Sequence, residues 1–141
     1  MRVLIVEDEP AFALMVEDIA MAEGFEIAGI ARNTAEAMEL APEADIAILD
    51  VRLADGLTGP EIARHLVEHF NVGIVYLTGN PDLVEDRDGV HVVVNPPSVP
   101  SVVDGLRQAA AWHSRRARQQ NAQDGAGNVT PNRNSTDRSI S

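Results

Sequence analysis

Val3-Leu4-Ile5-Val6-Glu7-Asp8 drives four apolar residues straight into two acids. A run so short and so evenly apolar suits a strand buried on both faces, and its acidic end marks where the chain leaves the core. The pattern recurs. Ile46-Ala47-Ile48-Leu49 ends in Asp50, and Gly73-Ile74-Val75-Tyr76-Leu77 ends in Thr78. Between these runs the apolar spacing changes to that of helices, so the chain is built from βα units around a parallel sheet. In such a sheet the carboxyl ends of neighbouring strands open onto one crevice, where α/β proteins of this type place their ligands. Carboxylates gathered there repel one another unless a cation joins them. With no Cys and no clustered His, hard oxygen donors favour Mg²⁺ over zinc or copper.

The intervening segments carry helix signals. Pro10 suits an opening turn, Phe12, Met15, Val16, Ile19 and Ala22 share one face, and Gly24 stops the helix. A second strand is predicted over residues 25–31. Asn33 and Glu36 have capping spacing for the next helix, and Thr58 with Glu61 predicts a capping box for the third. His91-Val92-Val93-Val94 is the fifth strand. The stretch from Asn80 to Gly89 has only Leu83 and Val84 as apolar anchors, so the fourth helix is expected to be shortened or missing. Val99, Val102, Val103, Leu106, Ala109 and Ala110 line the last helix. Beyond about Gln119 the apolar period ends, and residues 119–141 are expected to form a disordered tail after a domain spanning residues 1–118.

Composition narrows the function. Residues 1–112 hold 20 acids against six Arg, a net −14, whereas residues 113–141 hold two acids against five Arg, a net +3. An acidic body of this kind argues against nucleic acid as a ligand. The first apolar run meets acids too soon to be a signal peptide or a membrane span, so a cytoplasmic protein without membrane attachment is expected. All eleven cations are Arg; there is no Lys.

Glu7-Asp8, Asp50, Thr78-Gly79 and Asn95-Pro96 fall in the order and spacing of the receiver domain of two-component response regulators, and residues 1–118 resemble that family. The resemblance implies a flavodoxin-like, doubly wound, five-stranded parallel sheet of order 2-1-3-4-5 with helices on both faces. It also implies roles. Asp50 would accept a phosphoryl group from a sensor histidine kinase or a phosphotransfer protein. Mg²⁺ would be held by Glu7, Asp8, Asp50 and the backbone carbonyl of Arg52, and Thr78 would donate its hydroxyl to a phosphoryl oxygen beside the small Gly79. Such a protein is a phosphoacceptor, not a turnover enzyme.

The sequence departs from the family at two positions. Asn95 stands where receivers carry Lys, leaving Arg52 or Arg87 as the nearby cations that could substitute. Losing one charge-assisted contact costs about 1.5–3 kcal/mol, so the transfer is expected to be weakened, not abolished. Val92 replaces the aromatic switch residue, so the usual relay to the output face cannot operate unchanged. The expected product is a stand-alone receiver, monomeric or weakly dimeric, that signals to a downstream regulatory protein or drains phosphoryl groups. The alternative is a degenerate receiver that binds a partner without phosphorylation. A phosphohydrolase resembling the haloacid dehalogenases needs a second acid two residues after its nucleophile, and Arg52 occupies that place. His65 and His69 share a helix face at i, i+4 but show no third metal ligand in the sequence, and Trp112 is expected to pack.

Overall fold

The structure is a computed structural model describing residues 1–51, 53, 56, 58–79, 81–84, 87–94 and 96–127, with the backbone alone at 83 and 123–127. Five parallel strands form one sheet: β1 (Arg2–Val6), β2 (Glu26–Ala31), β3 (Ile46–Asp50), β4 (Gly73–Thr78) and β5 (Val90–Val94). Their order is β2-β1-β3-β4-β5, as the resemblance implied. The helices are α1 (Pro10–Ala22), α2 (Thr34–Leu40), α3 (Gly59–Phe70) and α4 (Val99–Gly127).

Alternation along the strands divides the core into two layers. Val3, Ile5, Ile46, Ile48, Val75, Leu77 and Val93 face α1 and α4, where Val16, Ile19, Val102 and Leu106 complete the packing. Leu4, Val6, Ala47, Leu49, Ile74 and Tyr76 face α2 and α3, against Ala37, Ile62 and Leu66. The central strands are thus apolar on both sides, which is why they lack polar alternation.

The helix starts follow local chemistry. Glu9 caps α1 by accepting the Ala11 N–H at 3.2 Å, a role the sequence reading did not assign it. Asn33 caps α2 as expected, accepting the Glu36 N–H at 3.0 Å, while the Glu36 carboxylate accepts the Arg32 N–H at 2.9 Å. The box predicted from Thr58 and Glu61 is not made. Thr58 already has helical dihedrals (φ −96°, ψ −9°), and its side chain forms no cap hydrogen bond. A capping hydroxyl needs an extended residue to reach back to the third N–H.

Between β4 and β5 the described residues hold one 3₁₀ turn, Pro81–Leu83, and no α-helix, in line with the expected loss. Trp112 helps close that end of the molecule. It is 5% exposed, and its indole N–H donates to Asp88 Oδ2 at 3.0 Å. Gly89 lies so close beneath it that a Cβ there would sit 2.8 Å from the indole. Val92 and Val94, on the face the missing helix would cover, are left 42% and 55% exposed.

The last helix runs past Gln119 to Gly127, nine residues beyond the boundary expected at residue 118. Residues 119–127 mix Gln and Ala with Asn121, Asp124, Gly125 and Gly127, so they extend an already nucleated helix and owe little to intrinsic preference. Residues 128–141 lie outside the described residues.

Candidate functional site

Because the strands are parallel, their carboxyl ends share one edge of the sheet. β1 delivers Glu7 and Asp8 there, β3 delivers Asp50, and β4 delivers Thr78. Register keeps the three strands level: Val6 lies opposite Leu49, and Asp50 opposite Leu77. One carboxylate oxygen from each of Glu7, Asp8 and Asp50 lies within 4.8 Å of the other two. At that separation each ionised pair repels by roughly 3 kcal/mol for an effective dielectric near 20.

The three acids differ in surroundings. Glu7 is buried, Asp50 half-buried and Asp8 exposed. Burial, opposed by a hydrogen bond from the Glu9 N–H at 3.0 Å and reinforced by the charges of Asp50 and Asp8, pushes the Glu7 carboxyl up to about 7. Its backbone is fixed independently by a hydrogen bond from its N–H to the Ala31 carbonyl at 2.8 Å, which ties the acid to β2. Thr78 is 3% exposed at the end of β4. A Cβ on Gly79 would meet nothing within 4 Å, so the space above it is open.

Gly59, at the start of α3, packs against the strand end that carries Asp50, a role the sequence analysis did not assign it. A Cβ at this position would collide with the Asp50 carbonyl and stand 2.8 Å from Val51 Cα. Its N–H instead donates to the Val51 carbonyl at 3.1 Å, docking the start of α3 directly on the strand end that carries Asp50. The Gly-Pro pair at 59–60 was the available signal.

The oxygen-only donor set fits Mg²⁺. Octahedral coordination at about 2.1 Å separates ligand oxygens by about 3–4 Å, so the 4.8 Å cluster needs only a small contraction. The acids that repel one another would then share a cation. Among the described residues no other group of three acids or His comes this close.

Two of the expected participants, Arg52 and Asn95, lie outside the described residues, so the structure bears on neither the backbone carbonyl of the first nor the amide of the second. Arg87 does not substitute for the missing Lys. It ion-pairs with Glu68 on α3 at 3.2 Å, and it precedes β5, at the amino end of the sheet. A five-residue strand, about 13 Å long, separates it from the crevice.

Residues 3–93 match the response regulator receiver domain family. The chain is 29% identical over 126 residues to the phyllosphere-induced regulator PhyR of Methylorubrum extorquens, covering 86% of this chain and 47% of that protein. It is 32% identical over 119 residues to the transcriptional regulatory protein PdtaR of Mycobacterium tuberculosis, covering 78% of this chain and 57% of that protein. It therefore spans about half the length of these curated relatives. Among solved structures, the receiver domain of Erythrobacter litoralis PhyR superposes with a TM-score of 0.69 at 30% identity, over 77% of this chain and 88% of that one. The acidic cluster, the strand order and these matches agree: the chain belongs to the response regulator receiver domain family.

Proposed function

We propose that this receiver accepts a phosphoryl group on Asp50 with Mg²⁺ bound by Glu7, Asp8 and Asp50. The observation that carries the reading is the meeting of these three carboxylates at the carboxyl edge of the sheet, next to Thr78. An Asp50 carboxylate oxygen would attack the phosphorus of a phosphohistidine; the new P–O bond forms as the P–N bond breaks, and the departing imidazole nitrogen keeps the electron pair and takes up a proton. Bound Mg²⁺ supplies neutralisation of charge on the transferring group. Thr78 donates its hydroxyl to a phosphoryl oxygen, and the open space above Gly79 accepts the group. Asn95 contributes at most a neutral donor in place of the family's cation. The donor is a sensor histidine kinase or a phosphotransfer protein, and the phosphorylated chain acts on a regulatory partner.

The exposed Val92 and Val94 favour a second reading, a receiver that binds its partner through β5 whether or not it is phosphorylated. Intact-mass measurement separates the two. After incubation with autophosphorylated kinases, the full chain should gain one phosphate in Mg²⁺, none in EDTA and none as Asp50→Ala. A folded chain that binds its partner but never gains mass with any donor would favour the second reading.

A further inference from the structure

We propose that His65 and His69 form a second metal site, for Zn²⁺ or a cation of the same borderline class, on the outer face of α3. Two imidazoles one helical turn apart are a recurring helix-borne zinc arrangement, and His65-Leu66-Val67-Glu68-His69 has that spacing. The structure brings the rings together, with centroids 4.4 Å apart and planes tilted by 42°. Both side chains are exposed, and among the described residues neither has a hydrogen-bond partner, so their nitrogen lone pairs are available. They line a groove of about 480 Å³ between α2 and α3.

The other two His are placed differently. His113 contacts the Asn71 carbonyl through Nδ1 at 2.8 Å and Asp45 through Nε2 at 3.3 Å, and His91 is half-buried on β5. The chain has no Cys, and this pair sets two imidazole rings side by side. Glu61 lies one turn before His65, is exposed and lines the same groove; it does not group with the two His as the chain stands, so a metal there would rest on the imidazoles and recruit this carboxylate only by a change of rotamer. Glu68 is committed to Arg87. Two imidazoles, one mobile carboxylate and water make an open site, so affinity on the order of micromolar is expected for Zn²⁺, with Cu²⁺ tighter and Mg²⁺ negligible.

This site is separate from the acidic crevice. His65 and His69 lie six and ten residues beyond Gly59, where α3 meets the strand end, which places them roughly 9 and 15 Å along the helix. Metal there would clamp the second half of α3 and leave the Asp50 end free for Mg²⁺.

The test is calorimetric titration of the full chain with ZnCl₂ in millimolar Mg²⁺, which competes for the oxygen site, with a His65→Gln/His69→Gln double variant as the reference for any Zn²⁺ that site still takes. One equivalent should bind. His65→Gln and His69→Gln should each weaken binding by about tenfold or more, both substitutions lying on an exposed face that tolerates them. In the wild type, Cu²⁺ paramagnetic resonance should show coupling to two imidazole nitrogens, a readout that does not depend on any variant folding. The proposal is overturned if Zn²⁺ does not bind at about 100 µM. It is equally overturned if folded His variants bind as the wild type does, or if Mg²⁺ displaces the metal. None of these results bears on phosphorylation of Asp50.

Discussion

Glu7 is an acid that the fold holds near neutrality. In the folded protein its carboxyl titrates at about 7 against an ordinary 4.5, chiefly because it is buried. Between those values the folded chain holds a proton that the unfolded chain has released, so stability must fall as pH rises from 4.5 to 7. The cost is of order 2–3 kcal/mol by the top of that window. In metal-free protein, urea unfolding followed by circular dichroism should show this loss for the wild type. Glu7→Gln should flatten the profile and be the more stable form at pH 8. Parallel profiles for the two would show that Glu7 is not strained. That these acids would meet could be read from the sequence, because Glu7, Asp8 and Asp50 each end an apolar run. Their unequal burial could not, since it depends on β2 crossing beside β1 and on the Glu9 N–H turning back to the carboxylate. Asn95 was legible only as a departure from a family pattern, and Arg52 only as a place within it.

At the scale of elements, strands were the most legible parts, since β1, β3 and β4 are apolar on both faces and bounded by acids, Thr or Gly. The cap at Asn33 was legible for the same local reason. The box at Thr58 was not, because the docking of α3 on β3 overrides local capping preference: Gly59 must lie against the Asp50 and Val51 backbone, and that contact sets the entry of the chain. Gly59→Ala puts a methyl into this backbone contact, which no rotamer can relieve. Overpacking of this kind costs about 1–3 kcal/mol. The variant should lose stability by that amount in denaturant titration and also accept phosphate more slowly, since the strand end carrying Asp50 must shift. A folded Gly59→Ala chain with wild-type stability would show that α3 is not seated where described. The missing fourth helix was legible from its few apolar anchors, whereas the use of Trp112 and Arg87 to close the gap follows from tertiary packing.

At the scale of the molecule, residues 1–112 hold 20 acids against six Arg, while five of the eleven Arg lie beyond residue 112, on the last helix and after it. That helix is fixed to the amino end of the sheet by polar contacts at Asn71, whose carbonyl meets His113 and whose side chain meets Arg116 at 3.2 Å and Gln120 at 2.8 Å. Periodicity alone missed this anchorage because its bonds are polar. No helix among the described residues is long and apolar enough to cross a membrane. The account rests on Asp50 as the acceptor, and a small donor tests that without any partner protein. Phosphoramidate carries the same P–N bond as phosphohistidine. After incubation with it in Mg²⁺, borohydride reduction of the acyl phosphate and peptide mass mapping should find homoserine at position 50, and none when EDTA replaces Mg²⁺. Label at Glu7, Asp8 or a His, or label at position 50 that forms equally well in EDTA, would contradict the account.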